Sequence, residues 1–181
     1  MKALVDELLQ LAKLDAGAIE LERVSCRLDE IVGEALTMLT PAADDARVTL
    51  HHEFEPVEAS VDEQRIHRVI VNLVRNAIQH TPADGTIRVT VQRDADDAVL
   101  VVEDSGPGIP PEHLDAIFTR FHRVDSSRQR GHGGGTGIGL AITRGLVEAH
   151  GGTISAASDV EHGATFRVVL PCDAAPDDVS A

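Results

Sequence analysis

Three polar residues that could bind a metal ion recur at every fourth position of one segment: Asn72, Asn76 and His80. Residues 62–80 carry apolar side chains at helical spacing, so the three polar side chains would follow one border of the apolar face. Carboxamide oxygens at that border could bind Mg²⁺, which keeps most of its waters and takes few protein ligands. A solvated helix edge has the same pattern, and the motif alone leaves both interpretations open.

A second motif, VEDSGPGIP, follows a predicted strand that ends at Asp104. Gly106 and Gly108 would let the backbone turn tightly or approach a flat ligand. A buried carboxylate at position 104 could accept a hydrogen bond from the exocyclic amine of adenine, a donor that guanine lacks at that position. An ordinary Asp-Ser-Gly turn without a ligand is the alternative.

In the third motif, GHGGGTGIGLAI, the glycines lead directly into a predicted helix that runs from Gly137 to His150. The first amide groups of such a helix can face phosphate oxygens, which makes the run a candidate phosphate loop. It lacks the Gly-Lys-Ser/Thr ending of a P-loop, and no register fits the dinucleotide pattern G-x-G-x-x-G. The alternative is a surface linker.

The charge distribution favours a local anion site over a nucleic-acid surface. The formal net charge is -14, and a nucleic acid would need clustered cations along its phosphate backbone. A nucleotide pocket needs cations only locally. Four arginines lie in one short stretch of the chain: Arg120, Arg123, Arg128 and Arg130.

Length and composition predict one main domain, because 181 residues with 43% apolar side chains can bury one sizeable core. No apolar run approaches the roughly 20 residues of a membrane span, and no secretory signal is present. Cys26 and Cys172 lack the spacing of a zinc site or a disulfide framework. We therefore expect this segment to be soluble and to come from a reducing cytoplasm.

Hydrophobic periodicity predicts both helices and strands without strict alternation. The expected helices cover residues 3–15, 28–39 (ending before Pro41), 62–80, 110–118 and 137–150. The expected strands cover residues 48–54, 57–61, 87–91 and 98–104, with a further hairpin across 153–170. Residues 121–136 are polar and glycine-rich, which is typical of a mobile loop, and the tail beyond Pro171 has a disordered composition. This order predicts an α/β sandwich, a mixed sheet with helices on one face.

Taken in order, the motifs resemble the catalytic ATP-binding domain of sensor histidine kinases, whose Bergerat fold is shared with gyrase-type ATPases and Hsp90 chaperones. The resemblance covers nearly the whole chain and rests on VNLVRNAIQH, VEDSGPGIP, IFTRFHRVDSSR, GGTGIGLAI and GGTISAASDVEHGATFRVVLP. It implies a two-layer sandwich of about five strands covered on one face by three helices, with ATP and Mg²⁺ as cofactors.

The resemblance also implies roles for single residues. Asn76 resembles the family's magnesium ligand and Asp104 its adenine-recognising carboxylate, while Asn72 and Arg123 would join Asn76 in the catalytic set. Phe118 and Phe121 resemble the pair that anchors the glycine flap. The full nucleotide-binding set that the resemblance implies is Asn72, Asn76, His80, Asp104, Gly106, Gly108, Ile109, Phe118, Phe121, Arg128, Gly135, Thr136, Gly137, Ile138, Gly139 and Leu140.

Two positions distinguish this chain from its possible relatives. Asn72 lies where gyrase-like ATPases carry a glutamate that activates water, and an amide cannot act as that general base, which favours a kinase over an ATPase. Gln79 lies where many relatives carry Lys or Arg near the phosphates, so one expected cation is missing and the flap arginines would have to compensate.

None of the histidines is expected to be the family's phosphoacceptor, because they lie in predicted strands, loops or helix ends of the nucleotide domain. Residues 1–16 resemble the end of the second helix of the dimerisation bundle, followed by an ATP-binding domain at 18–171 and a tail at 172–181. The implied partners are that dimerisation domain, which carries the acceptor histidine, and a response regulator; no nucleic acid is expected. The whole protein would be a membrane-bound homodimer with this domain in the cytoplasm. A serine kinase or ATPase of the same fold, or a non-catalytic nucleotide sensor, remain the alternatives.

Overall fold

A computed structural model of the chain describes residues 9, 11, 12, 14, 19–122, 137–159 and 163–172. Within these ranges the strands are β1 (Val24–Arg27), β2 (Thr49–Phe54), β3 (Glu58–Val61), β4 (Thr86–Asp94), β5 (Asp97–Asp104), β6 (Thr153–Asp159) and β7 (Gly163–Pro171). The helices are α1 (Leu28–Ala46), α2 (Glu63–His80) and α3 (Gly139–Ala149). Among the described helices, none combines the length and the apolar character that crossing a bilayer requires.

Five strands form one mixed sheet in the order β2-β4-β5-β7-β6. The β2–β4 pair is parallel and the other three pairs are antiparallel. The three helices pack side by side on one face of this sheet, which confirms the predicted two-layer α/β sandwich. Strands β1 and β3 form a separate antiparallel pair in which Cys26 faces Ala59.

Helix α2 is the central helix of the layer, since it packs against both α1 and α3. Its buried residues repeat at helical spacing: Ile66, Val69, Ile70, Leu73, Val74, Ala77 and Ile78. The helix begins after Asp62, whose Oδ1 accepts a hydrogen bond from the Arg65 N–H at 3.1 Å. The predicted helix is confirmed, and Asp62 is its N-cap. Burial of each large aliphatic side chain on this face stabilises the fold by roughly 1.5–3 kcal/mol.

Helix α1 continues through Pro41 to Ala46, so the prediction that it ends before Pro41 was wrong. A proline inside a helix removes one backbone hydrogen bond and crowds the preceding turn. Here the residues after the proline still have a place in the core, because Ala43 is buried at 1% exposure. Arg47 then ends the helix in a left-handed conformation with φ 55°. Burial of the residues after Pro41 therefore outweighs the tendency of a proline to end a helix.

The single short helix predicted to run from Pro110 to Phe118 is instead two 3-10 turns, Pro111–His113 and Ala116–Phe118. Each is closed by bonds between residues three apart, such as the Thr119 N–H to the Ala116 carbonyl at 2.9 Å. The segment is too short to repay the cost of nucleating an α-helix, so the tighter turns form. Strand β1 was also missed, because Val24–Arg27 is only four residues long and its burial does not alternate.

Replacing Asp62 with alanine should lower the free energy of unfolding by about 1–2 kcal/mol, because the cap of α2 is lost. The substitution also removes the acceptor for the Arg65 side chain, whose Nε lies 3.1 Å from Asp62 Oδ2. Urea unfolding followed by circular dichroism measures the change. Glu34→Ala, on the exposed face of α1, is the matched control and should change stability little. Equal effects of the two substitutions would contradict the capping role.

Candidate nucleotide-binding site

Asp104 lies at the end of β5, opposite Ala164 of β7. Its Oδ1 accepts two backbone hydrogen bonds, from the Gly106 N–H at 2.9 Å and from the Ala164 N–H at 3.3 Å. These bonds fix the orientation of the carboxylate. Its other oxygen, Oδ2, accepts no hydrogen bond from the residues that the structure describes, so it can accept one from a ligand.

Burial raises the pKa of the Asp104 carboxyl above its ordinary value, against the opposing effects of the two backbone N–H groups and of His80. Removal from water disfavours the ionised form. The same partly dry surroundings strengthen any hydrogen bond that the carboxylate accepts. Asp104 is therefore placed to recognise a donor group on a ligand.

The turn after Asp104 is built from backbone atoms that lie too close together for side chains. A Cβ atom on Gly106 would lie 2.7 Å from Asp104 Oδ1 and 2.9 Å from the carbonyl oxygen of His80. Gly108 has φ +76°, and a Cβ there would lie 2.6 Å from the carbonyl oxygen of Asp159. Both predicted glycines are thus required by the turn itself. Ile109, the last residue of the predicted turn, is half-buried against the core.

Of the three polar residues along the border of α2, Asn72 contacts the beginning of α3. The Asn72 amide Nδ2 lies 3.4 Å from both the Gly139 carbonyl oxygen and Thr143 Oγ1. Asn76 is half-buried, and its amide makes no hydrogen bond to any residue in the described ranges. Asn72 therefore connects two helices, whereas the amide of Asn76 is available to a ligand. His80 is exposed at the end of the helix, close enough to Asp104 to affect its pKa.

Phe121 and Gly137, which lie on either side of the predicted flap, are hydrogen-bonded to each other. The Phe121 N–H donates to the Gly137 carbonyl at 2.9 Å, and both residues have positive φ, 59° and 70°. Ile138, at the start of α3, is fully buried, and Leu140 is half-buried. The described residues on either side of 123–136 are therefore held next to each other, directly before the first turn of α3.

The two phenylalanines of the predicted anchor occupy different environments. Phe118 is 9% exposed and packs edge-to-face against Phe166 with ring centroids 6.3 Å apart. Phe121 is 63% exposed. Phe118 thus holds this segment to the sheet, while Phe121 is fixed through its backbone. The remaining predicted site residues, Arg123, Arg128, Gly135 and Thr136, lie outside the described residues.

His150 is a buried polar residue whose position the sequence did not suggest. Its Nε2 accepts a hydrogen bond from the Asp62 N–H at 3.0 Å, and its Nδ1 lies 2.7 Å from the Leu146 carbonyl oxygen. Because Nε2 is an acceptor, the proton is on Nδ1 and the imidazole is neutral. The ring therefore connects the beginning of α2 to the last turn of α3. The single local signal is its place directly before Gly151 and Gly152.

Comparison with known proteins agrees with this fold. Residues 61–174 match the family described as histidine kinase-, DNA gyrase B-, and HSP90-like ATPase. The sensor protein KdpD of Escherichia coli (strain K12) is 36% identical over 175 residues, which are 96% of this chain and 19% of KdpD. The chain belongs to this ATPase family and corresponds to the ATP-binding catalytic domain of sensor histidine kinases.

Solved kinase structures have the same arrangement of elements. Full-length ShkA in complex with AMPPNP is 27% identical with a TM-score of 0.83, covering 96% of this chain and 36% of ShkA. Histidine kinase ThkA in complex with the response regulator TrrA is 25% identical with a TM-score of 0.74, covering 95% of this chain and 49% of ThkA. The chain spans less than half of each of these relatives.

The neutral imidazole of His150 should make stability depend on pH. Burial lowers the pKa of His150 below its ordinary value of about 6.5. The unfolded chain then takes up a proton at a higher pH than the folded chain does. The stability that depends on neutral His150 is thus fully present above about pH 6.5 and is lost as the pH falls below it.

His150→Gln should flatten this dependence, because glutamine does not titrate and offers both an acceptor and a donor. Between about pH 7.5 and about pH 5.5, the free energy of unfolding of the unmodified chain should fall more steeply than that of the variant, by roughly 1 kcal/mol. Urea unfolding at each pH measures both. His51→Gln, at an exposed position of β2, is the control. Parallel profiles for the unmodified chain and the His150 variant would contradict the assignment.

Proposed function

We propose that this domain binds magnesium-ATP and transfers the γ-phosphate to a histidine on a dimerisation domain of the same protein. The observation that carries the proposal is the Asp104 carboxylate, oriented through Oδ1 with Oδ2 left for a ligand. The family membership and the likeness to ShkA, whose complex contains AMPPNP, support ATP as that ligand. Residues 18–171 would form the ATP-binding domain, residues 1–16 the end of a bundle helix, and 172–181 a tail.

Adenine selection would depend on Asp104. The exocyclic amine of adenine is a donor that can meet Oδ2, whereas guanine presents a carbonyl oxygen there and would face the carboxylate with a second acceptor. The glycine turn at 106–108 leaves no side chain between this carboxylate and a flat base. We therefore expect adenine nucleotides to bind in preference to guanine nucleotides.

The residues of α2 fit a magnesium ion that is bound mainly by phosphate oxygens. Within the described ranges, no group of three or more His, Cys, Asp or Glu side chains could hold a metal ion. Mg²⁺ needs few protein oxygens, and the half-buried Asn76 amide can supply one. A bound magnesium would neutralise charge on the phosphates. Arg123 and Arg128 would add positive charge there, and Asn72 would keep the start of α3 beside them.

The site favours transfer to a nucleophile other than water. Asn72 is an amide that already donates to Gly139 and Thr143, and an amide cannot remove a proton from water. A neutral imidazole nitrogen needs no such base, because its lone pair can attack the γ-phosphorus directly. The new N–P bond forms as the bond from that phosphorus to the bridging oxygen breaks. ADP leaves with the electron pair, and the imidazole loses its remaining N–H proton to solvent.

The proposed partners follow from this reaction. The acceptor would be the dimerisation domain, and the phosphate would pass from it to an aspartate of a response regulator. The complex of ThkA with the response regulator TrrA supports a partner of this kind. The whole protein would be a homodimer anchored in a membrane, as proposed from the resemblance to sensor kinases.

Mixing this chain with radiolabelled ATP and a helical bundle that carries the acceptor histidine tests the transfer. We expect acid-labile label on the bundle and none on this chain alone, since His52, the one histidine that an acidic residue follows, lies in strand β2 and not on a helix. Acid-stable label would instead indicate a serine kinase, and binding without transfer would indicate a nucleotide sensor. Appreciable labelling of the chain by itself would also contradict the proposal.

Two substitutions should separate the base and metal subsites. Asp104→Ala should weaken ADP binding by about tenfold or more with or without magnesium, because the adenine acceptor is lost. Asn76→Ala should weaken only the magnesium-dependent part of the affinity. Calorimetry with and without a chelator measures both. Glu103→Ala, at the exposed neighbouring position of β5, is the control. Unchanged ADP affinity in the Asp104 variant would overturn the adenine assignment.

A further inference from the structure

Ser158 of β6 has a hydroxyl group that bonds to two separate segments of backbone. It accepts a hydrogen bond from the Ile109 N–H at 2.7 Å and donates one to the Gly163 carbonyl at 2.6 Å. Ile109 ends the glycine turn that follows Asp104, and Gly163 begins β7. One half-buried side chain therefore joins the two segments.

Both segments also contact Asp104. On one side the Gly106 N–H donates to Asp104 Oδ1, and on the other the Ala164 N–H donates to the same oxygen. Gly163 has φ +95°, and a Cβ there would overlap the Asp104 carbonyl oxygen. The two groups that hold the carboxylate thus belong to the two segments that Ser158 holds together.

The backbone of the glycine turn packs closely around the Ser158 hydroxyl. A Cβ on Gly108 would lie 2.9 Å from Ser158 Oγ and 2.6 Å from the Asp159 carbonyl oxygen. The glycine turn therefore lies directly against the end of β6. If the hydroxyl were removed, the Ile109 N–H and the Gly163 carbonyl would both lose their partner, and the two segments could separate.

We propose that Ser158 is a positioning residue of the adenine subsite. Its hydroxyl sets the distance between the 106–109 turn and the start of β7, and it thereby fixes the direction in which Asp104 Oδ2 faces the base. The inference rests on the proposed binding of adenine at Asp104, and Ser158 itself acts only through that carboxylate. Removal of the hydroxyl would affect selection of the base more than contact with the phosphates.

Ser158→Ala tests this role by its effect on base selection. We expect ADP affinity to fall by about 5- to 20-fold, and the preference for ATP over GTP to fall with it. Affinity for inorganic tripolyphosphate should stay within about twofold, as expected when no contact to the phosphates is lost. Ser155→Ala, at an exposed position of the same strand, is the matched control and should leave all three affinities unchanged.

A double-mutant comparison distinguishes positioning from general damage. In a chain that already carries Asp104→Ala, the further change Ser158→Ala should lower ADP affinity by less than about twofold, because there is no carboxylate left to orient. Ser158→Thr, which keeps the hydroxyl, should restore most of the affinity. If the alanine variant does not fold, Ser158→Cys provides the same comparison with a much weaker hydrogen-bonding group.

The outcomes also separate this inference from the proposed function. If the unmodified chain bound ATP with no dependence on Asp104, the proposed function would fail and this inference with it. If binding depended on Asp104 but Ser158→Ala kept both affinity and base preference, only the role of Ser158 would be overturned. Equal losses for ADP and tripolyphosphate, or an unreduced loss in the Asp104→Ala background, would also overturn it.

Discussion

The nucleotide site depends on how α2 packs against the sheet. Ile70, Leu73 and Val74 are fully buried on its inner face, and this burial fixes the rotation of the helix about its axis. Successive residues of a helix differ by about 100° in direction, so a shift by one residue would turn Asn76 away from the site. The apolar core thus determines where the polar border lies. The apolar period of α2 therefore determines both the burial that stabilises the helix and the direction in which Asn76 faces.

Polar contacts near both ends of α3 fix it against α2. Asn72 bonds to the first residue of α3, and His150, directly after the last, bonds to the backbone of Asp62. The segment that enters the domain is attached to the same region, because the Arg23 guanidinium donates to the Ala149 carbonyl at 2.7 Å. The Glu22 N–H also donates to Asp62 Oδ2 at 3.3 Å. The entering segment and both helices are therefore joined by hydrogen bonds that are partly or fully buried.

Elements that have a local signal in the sequence were predicted correctly. Features that depend on contacts between residues far apart in the chain were not. Helix α2 has a long apolar period, and this period was visible in the chain. The end of α1 was misplaced because burial of Ala43 overrides Pro41. The turn at Asp104 could be predicted because the carboxylate and its glycines are adjacent in sequence. His150 and Ser158 could not, since the backbone donors they accept from lie 88 and 49 residues away.

The half-buried Asp104 carboxylate lowers the stability of the empty site. The raised pKa of Asp104 shows that its ionised form is less favourable in the fold than in water, even with two N–H donors on Oδ1. A ligand amine at Oδ2 would offset part of this cost, so binding of the base should stabilise the domain. Backbone atoms pack so closely around the carboxylate that Gly106 and Gly163 admit no side chain. The proposed recognition of the base would therefore depend on backbone geometry as much as on one acidic side chain.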